Sequence, residues 1–434
     1  MKAMNKDNPK YNDCVERESQ LYERKGDFRT PFMRDYNRII FTTAYRRLKH
    51  KTQVFFAPDN DHICTRAEHV NLVESISYTI AYQLGLNTEL TRAISAGHDL
   101  GHAPFGHGGE KILSSLSIKH GLEPFWHEKN SLHLIDDLCL LEDDQHIEHN
   151  LDLTYAVRDG IIAHCGEVNQ RRIKPRSEKI DLKDFKSPGL YQPYTLEGCV
   201  VKISDKIAYL ARDIEDAWNL HILNEEDMKS LIEEINAVVP ELFKAINNGT
   251  VVNYFIQDVI HNSTEDYIGL SNEAFEIMKI FMKFNYQKIY EIKKVKIHTQ
   301  YVQLILESLF SFLYEYGQHD NFVLDLKKDA ERYPLIINHY LKWLTRYSTL
   351  LHDERYQNHI VYDFENDSLA LEKSIIDYLS GMTDHFIIDA FDELLAYRGR
   401  VKSLWKTWWM TDFRARWTMR YHSCGIKIEY FEFF

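Results

Sequence analysis

Glycine and proline are scarce, 18 and 10 residues in a chain of 434. That scarcity favours long helices over a turn-rich sandwich or barrel, whose tight turns use the positive φ of glycine and the fixed φ of proline. Cysteine is scarce too. The six residues, Cys14, Cys64, Cys139, Cys165, Cys199 and Cys424, stand far apart with no CxxC pair. Thiolate zinc sites and a disulfide scaffold are thereby excluded, and a reduced, cytoplasmic protein is expected. No run of about 18 uncharged apolar residues is present to span a bilayer. The polar stretch from Met1 to Cys14 has no apolar segment of the kind a secretory signal requires. Positive charge is in deficit, with a formal net charge of −13. A uniformly acidic surface repels nucleotides and nucleic acid, so an anionic ligand needs a locally basic site or a metal.

What is present is a 44% hydrophobic, 27% charged and 13% aromatic composition, enough for a sizeable core. The length allows one large domain or two smaller ones. There is no internal repeat, low-complexity tract or long linker, and the pattern is helical nearly throughout. From Thr65 to Leu84, His69, Val73, Ile76, Ile80 and Leu84 recur at helical spacing, with Gly85 placed to end the helix. A second helix is expected from a cap at Asn87 or Thr88 to Leu100 before Gly101. A third runs from about Leu196 to Leu220, with Ile207, Leu210, Ile214 and Ala217 as its core stripe. On a neighbouring stripe Val201, Asp205, Tyr209 and Asp213 follow one another at i+4. Gly166–Pro193 and Asp353–Asp367 read as loops or lids. Lys402–Phe434 is a tail with Trp405, Trp408, Trp409 and Trp417 among Arg and Lys. Arg29–Lys51 is locally basic, with seven cations against Asp35, and reads either as an anion site or as a solvated helix face.

The densest group of titratable side chains is Gly97-His98-Asp99-Leu100-Gly101-His102-Ala103-Pro104-Phe105-Gly106-His107-Gly108-Gly109-Glu110. A His-Asp pair alone says little, since His319-Asp320 and His352-Asp353 repeat it. This copy ends an amphipathic helix, is followed by glycines that allow close backbone approach, and has two more histidines beside it. Imidazole and carboxylate ligands without thiolate suit Mn, Fe, Zn, Ni or Mg, drawn from several helices that face a bundle core. His69 lies on an apolar stripe, where a histidine is either a satisfied core residue or a ligand. Asp205 lies among Val200, Val201, Ile203 and Ile207, where a carboxylate needs a partner: a metal, or an ion pair with Lys206 or Arg212.

The order His69, His98-Asp99, Asp205 resembles the H…HD…D pattern of HD-domain metal-dependent phosphohydrolases. Several further motifs resemble the deoxyguanosine triphosphate triphosphohydrolase family. They are Arg29-Thr30-Pro31-Phe32 with Arg34-Asp35, Tyr45-Arg46-Arg47-Leu48, Lys51-Thr52-Gln53-Val54, Thr65-Arg66-Ala67-Glu68-His69, Ser204-Asp205-Lys206-Ile207-Ala208-Tyr209 and Gly381-Met382-Thr383-Asp384. The resemblance spans about Arg29 to Leu395. It implies an all-α HD-domain helical bundle with additional C-terminal helices, divided as an N-terminal segment 1–28, a catalytic domain 29–400 and the tail 401–434.

The implied activity is hydrolysis of a deoxynucleoside triphosphate, dGTP by default, to deoxynucleoside and triphosphate. His69, His98, Asp99 and Asp205 would hold a divalent cation, Mn or Mg in assay, which acidifies a water for attack at the α-phosphorus. His102, His107 and His127, the last beside Glu128, are the candidate proton donors. Here the chain reads His127-Glu128-Lys129-Asn130 where bacterial relatives more often have His-Asn-Ala-Gln. Arg66 and Lys206 are expected to bind phosphate, Tyr209 to close on the 2′ position, and Gln53 and Asp213 to bind the 3′-hydroxyl. The resemblance also implies a homo-oligomer and a nucleotide effector or single-stranded DNA as a further partner. Two other readings are an HD phosphodiesterase or nucleotidase acting on another phosphoester, and a nucleotide- or single-strand-binding protein with a weak or regulatory site.

Overall fold

The computed structural model describes residues 2–19, 26–56, 60, 62–164 and 170–398; the Trp-rich tail lies outside them. Among the described residues the chain forms helices α1 (Tyr11–Val15), α2 (Pro31–Phe41), α3 (Thr43–Arg47), α4 (Arg66–Gln83), α5 (Thr88–Gly97), α6 (Gly106–Lys119), α7 (His127–His133), α8 (Tyr155–Ala163) and α9 (Leu196–Asn219). The C-terminal half adds α10 (Glu225–Val238), α11 (Asn248–Asn262), α12 (Asn272–Asn285), α13 (Lys293–Gly317), α14 (Phe322–Asp329), α15 (His339–Tyr347), α16 (Ala370–Ser380) and α17 (Asp384–Arg398). The fold is all-α. Among the described residues strands are confined to two small sheets: β1 (Leu140–Glu142) antiparallel to β2 (Glu148–Asn150), which runs parallel to β5 (Tyr356–Gln357), and β3 (Arg172–Ile173) antiparallel to β4 (Ile268–Gly269). β3 and β5 lie inside the two stretches read as loops.

The helix ends follow from local chemistry. At α4 the Thr65 side chain accepts from the Glu68 amide while Glu68 reaches back to the Thr65 amide, a reciprocal cap of two otherwise orphaned donors. At α5 the Asn87 side chain accepts from the Glu89 and Leu90 amides, and at α9 the Thr195 side chain accepts from the Gly198 amide, each a one-way cap. α5 stops at Gly97, short of the expected Leu100, and His98–Gly101 turns out of the helix. That departure matters, because the turn releases His98 and Asp99 from the helical repeat.

Two cores organise the molecule. The first is built around α4 and α9, with α5 packed on both and α2 and α8 packed on α5. Ile207, Leu210, Ile214 and Ala217 of α9 are buried in it, where truncating one large aliphatic side chain costs about 2–5 kcal/mol. The segment before residue 29 contributes Met4 and Cys14 to this core, and the Met4 amide donates to Glu197. The second core holds α6 and α13 to α17. The first core supports the His-Asp cluster, and the second flanks it from the side of α6.

Much of the locally basic stretch is engaged by its surroundings within the fold. Arg29 and Arg34 both pair with Asp27. Arg38, Arg46 and Arg47 donate to the carbonyls of Leu151, Phe41 and Gly381, and Lys51 is buried. Among the described residues no helix is long and apolar enough to cross a membrane.

Candidate active site

Three helices aim the cluster. His69 projects from the first turn of α4, His98 and Asp99 from the turn that ends α5, and Asp205 from the third turn of α9. Asp205 Oδ1 lies 2.9 Å from His69 Nε2 and 3.8 Å from His98 Nε2. Asp99 closes the group, 3.7 Å from His98 Nε2 and 3.9 Å from His69 Nε2. Candidate ligand atoms of His69, His98 and Asp205 all lie within 4.8 Å of one another.

The donor set fits a divalent cation. His98 Nδ1 lies 2.7 Å from the Ser95 carbonyl, which can only accept, so Nδ1 carries the proton and Nε2 presents a lone pair. That Nε2 is buried with no hydrogen-bond partner, an arrangement rare in folded proteins. A carbonyl-anchored imidazole with its other nitrogen turned inward is the usual posture of a metal-ligating histidine. Electrostatics agree. Burial alone would raise the Asp205 carboxyl, but its hydrogen bond with His69 and the charge of that ring hold it well below the usual range. Asp99 is likewise held well down despite burial, by His102 and Arg66 first. Burial opposes protonation of His69, yet Asp205 and Asp99 together raise it. Two carboxylates that bind positive charge so firmly when desolvated are prepared for a cation.

A second cluster adjoins the first. Gly101 lets α7 press against the His-Asp turn: a Cβ there would fall 2.1 Å from the Ser131 amide nitrogen and 2.3 Å from the His127 carbonyl. Only glycine permits that approach, and it brings His127 onto His102, their rings stacked at 3.7 Å. Glu110 of α6 then binds the His127 amide and Nδ1 with one oxygen and His107 Nδ1 with the other. Glu128 lies 3.4 Å from His127 Nε2. Burial disfavours charge on His127, but Glu128 and Glu110 outweigh it and push the ring up to about 9. His102, also buried and facing Arg66, is held well below its ordinary value although its Nδ1 sits 2.9 Å from Asp99. One ring is therefore cationic at neutral pH and its stacked neighbour neutral. His107 is 67% exposed, at the mouth of the cluster.

Other expected groups fall around this centre. Arg66 does not face open space: Nη1 donates to Asp99 over 2.6 Å and Nη2 to the Gln53 carbonyl, so it braces a candidate ligand. Lys206 and Tyr209 are half-buried on α9 beyond Asp205. Asp213, eight residues or about 12 Å along the helix from Asp205, is buried; Tyr290 donates to its Oδ2 and its Oδ1 has no hydrogen-bond partner. Gln53 Oε1 is likewise buried and unpartnered.

Three residues of this neighbourhood were not singled out by sequence reasoning. Glu110 joins His107 to His127, and its signal was available as an i,i+3 spacing from His107. Tyr290 comes from a π turn after α12 and carries no local signal. His164 ends α8 as His98 ends α5, each with Nδ1 on the carbonyl three residues back. Its ring lies 5.0 Å from His98, and burial first, then His98, drives it down to about 3. The repeated design of an apolar helix ending on histidine was legible; its meeting with His98 was not.

Residues 66–210 match the HD domain family, and an all-α fold whose two histidines and two aspartates converge in the order His, His-Asp, Asp defines an HD-domain protein of the metal-dependent phosphohydrolase class. Likeness over most of the chain narrows this. The chain is 33% identical to a deoxyguanosinetriphosphate triphosphohydrolase-like protein of Caldanaerobacter subterraneus subsp. tengcongensis, covering 86% of this chain and 87% of that one. A protein of the same description from Clostridium tetani is 30% identical over 86% and 88% of the two chains. One from Desulfatibacillum aliphaticivorans is 36% identical over 65% and 73%. The chain belongs to the deoxyguanosinetriphosphate triphosphohydrolase-like family.

Proposed function

We propose that this protein hydrolyses deoxynucleoside triphosphates to deoxynucleoside and inorganic triphosphate, with dGTP the first substrate to test. The observation that carries the reading is the convergence of His69, His98, Asp99 and Asp205, with the unpartnered carboxylate oxygen of Asp213 eight residues further along α9. A divalent cation held by the first four, Mn or Mg in assay, would polarise the attacking water and neutralise charge on the phosphoryl oxygens.

The chain's own groups do the rest. Water attacks the α-phosphorus, the bond to O5′ breaks, and the departing alkoxide takes a proton. His127, protonated at neutral pH and oriented by Glu110, donates it; His102, neutral and stacked on His127, holds that ring in place, and His107 meets the phosphates at the mouth. Arg66 keeps Asp99 ionised and aimed, and Lys206 offers a point charge to the outer phosphates. At the far end Gln53 and Asp213 bind the 3′-hydroxyl, whose single proton goes to the Asp213 carboxylate while its oxygen accepts from the Gln53 side-chain amide, and Tyr209 packs where a 2′-hydroxyl would sit. Buried polar groups left empty by a substrate lacking their partner discriminate strongly. The reading extends to a homo-oligomer whose rate responds to a nucleotide effector, tested by initial rates with pairs of dNTPs; a flat response to every pair removes the effector.

The deciding experiment incubates the protein with each dNTP and Mn or Mg and separates the products by chromatography. Deoxynucleoside plus triphosphate supports the proposal. Monophosphate plus pyrophosphate, or turnover of unrelated phosphoesters alone, replaces it with a phosphodiesterase or nucleotidase.

A further inference from the structure

The motif Gly381-Met382-Thr383-Asp384 links α16 to the first residue of α17, in the second core and far in sequence from the candidate ligands. Asp384 is 2% exposed, and both of its oxygens are engaged across the fold. Oδ2 accepts from the Thr52 amide over 2.8 Å and from the Thr52 hydroxyl. Oδ1 accepts from the Phe105 amide over 2.8 Å. The next residue after Thr52 is Gln53. Phe105 precedes Gly106-His107 and adopts the left-handed region at φ 61°, a conformation that costs a phenylalanine about 1–3 kcal/mol and persists only where surroundings enforce it.

A second tie runs from the same turn. Lys51, 3% exposed, donates its ammonium to the His102 carbonyl and, over 2.9 Å, to the Ser380 carbonyl. Arg47 donates to the adjacent Gly381 carbonyl. Burial pulls the Lys51 ammonium down to about 7. One turn of the C-terminal half thus ties the loop of Gln53 and the loop of His102 to His107 to each other, beyond the nearer contacts each loop makes with Arg66 and Glu110.

We propose that Asp384 and Lys51 are positioning residues that hold Gln53 and the histidine loop in register across the site, so that sugar recognition is set by a turn outside the HD domain. The inference rests on the sugar role proposed for Gln53. Asp384→Asn keeps the shape but gives one oxygen's place to an amide that donates. Whichever way that amide turns, one of the two partners, Thr52 or Phe105, faces a donor instead of an acceptor.

The test uses the full-length, Mn-loaded protein. In Asp384→Asn, hydrogen exchange should quicken at least about tenfold at Thr52 and Phe105 while the amides of α4 and α9 stay protected. Metal content should be unchanged. kcat/KM for dGTP should fall about tenfold to hundredfold, mainly through KM, and the double variant with Gln53→Ala should be no worse than the poorer single. Lys51→Met should reproduce the exchange at the His102 loop, with Lys51→Arg restoring protection, and it serves where Asp384→Asn fails to fold. Additive losses with Gln53→Ala, a fall in kcat and metal content at constant KM, or exchange rising throughout would overturn the proposal. Failure of the substrate reading is separately visible: wild type then releases no triphosphate, and exchange at Thr52 and Phe105 still decides whether the clamp exists.

Discussion

Asp213→Asn separates folding from function in a direction opposite to most substitutions. The Asp213 carboxyl is buried, accepts from Tyr290 with one oxygen and leaves the other unpartnered. Burial moves it from 3.8 up to about 6, a penalty on the charged form of roughly 3 kcal/mol. An acid raised in the folded state holds its proton more tightly there than when unfolded. The folded state is therefore favoured below pH 3.8, and that advantage is lost progressively as pH rises to about 6. Asparagine keeps the volume and the Tyr290 bond and removes the charge. Calorimetry at pH 8 should show the variant stabilised by up to about 3 kcal/mol, a rise in Tm of about 3 °C for a chain of this size; near pH 4 the two proteins should melt together. Function should move the other way. A hydrogen bond to a charged acceptor is worth about 1.5–3 kcal/mol against about 1 for a neutral one. The wild-type preference for dGTP over its 2′,3′-dideoxy analogue should accordingly drop about tenfold in the variant. In wild type that preference should grow as pH rises through about 6, and in the variant it should be flat. A variant that melts lower at pH 8, or that keeps the full preference for the 3′-hydroxyl, refutes the reasoning.

His98→Ala and Asp205→Ala should each abolish turnover and release bound metal on dialysis, read by elemental analysis; near-normal rates would place the cage elsewhere. Tyr209→Ala should raise turnover of GTP relative to dGTP, and an unchanged ratio would remove its role at the 2′ position. The rate should fall as pH rises through about 9, where His127 loses its proton. Glu110→Gln withdraws a charge that favours the imidazolium and should move that alkaline limb to lower pH; a limb that stays in place would assign the proton to another group.

The helices were legible because their determinants are local. The capping box of Thr65 and Glu68, the Asn87 cap and the apolar stripe of α9 lie within a turn or two of one another. His69, His98 and Asp99 stood out for the same reason, as residues whose type and spacing suit ligation. Arg66 shows where local reasoning stops. Helical spacing placed it on the face of His69, but its partner Asp99 stands 33 residues away, and that pairing adds a brace for Asp99 that its expected role at a phosphate gave no hint of. His164 and Tyr290 reach the site from α8 and from the turn after α12, at positions that no nearby residue marks.

From its residues alone the chain was legible as helical, with the caps that start α4 and α5 and a group of side chains suited to a cation around His98-Asp99, because each of those properties is settled by neighbours one to four residues apart. Tertiary structure alone decided that Asp205 meets His69 across 136 residues, that Glu110 holds His127 while His102 stacks on it, and that Asp384 fastens loops 332 and 279 residues before it. Those contacts depend on how helices pack and on which backbones approach closely enough, as at Gly101 against α7. Packing is a property of the whole core, and no short stretch of chain encodes it.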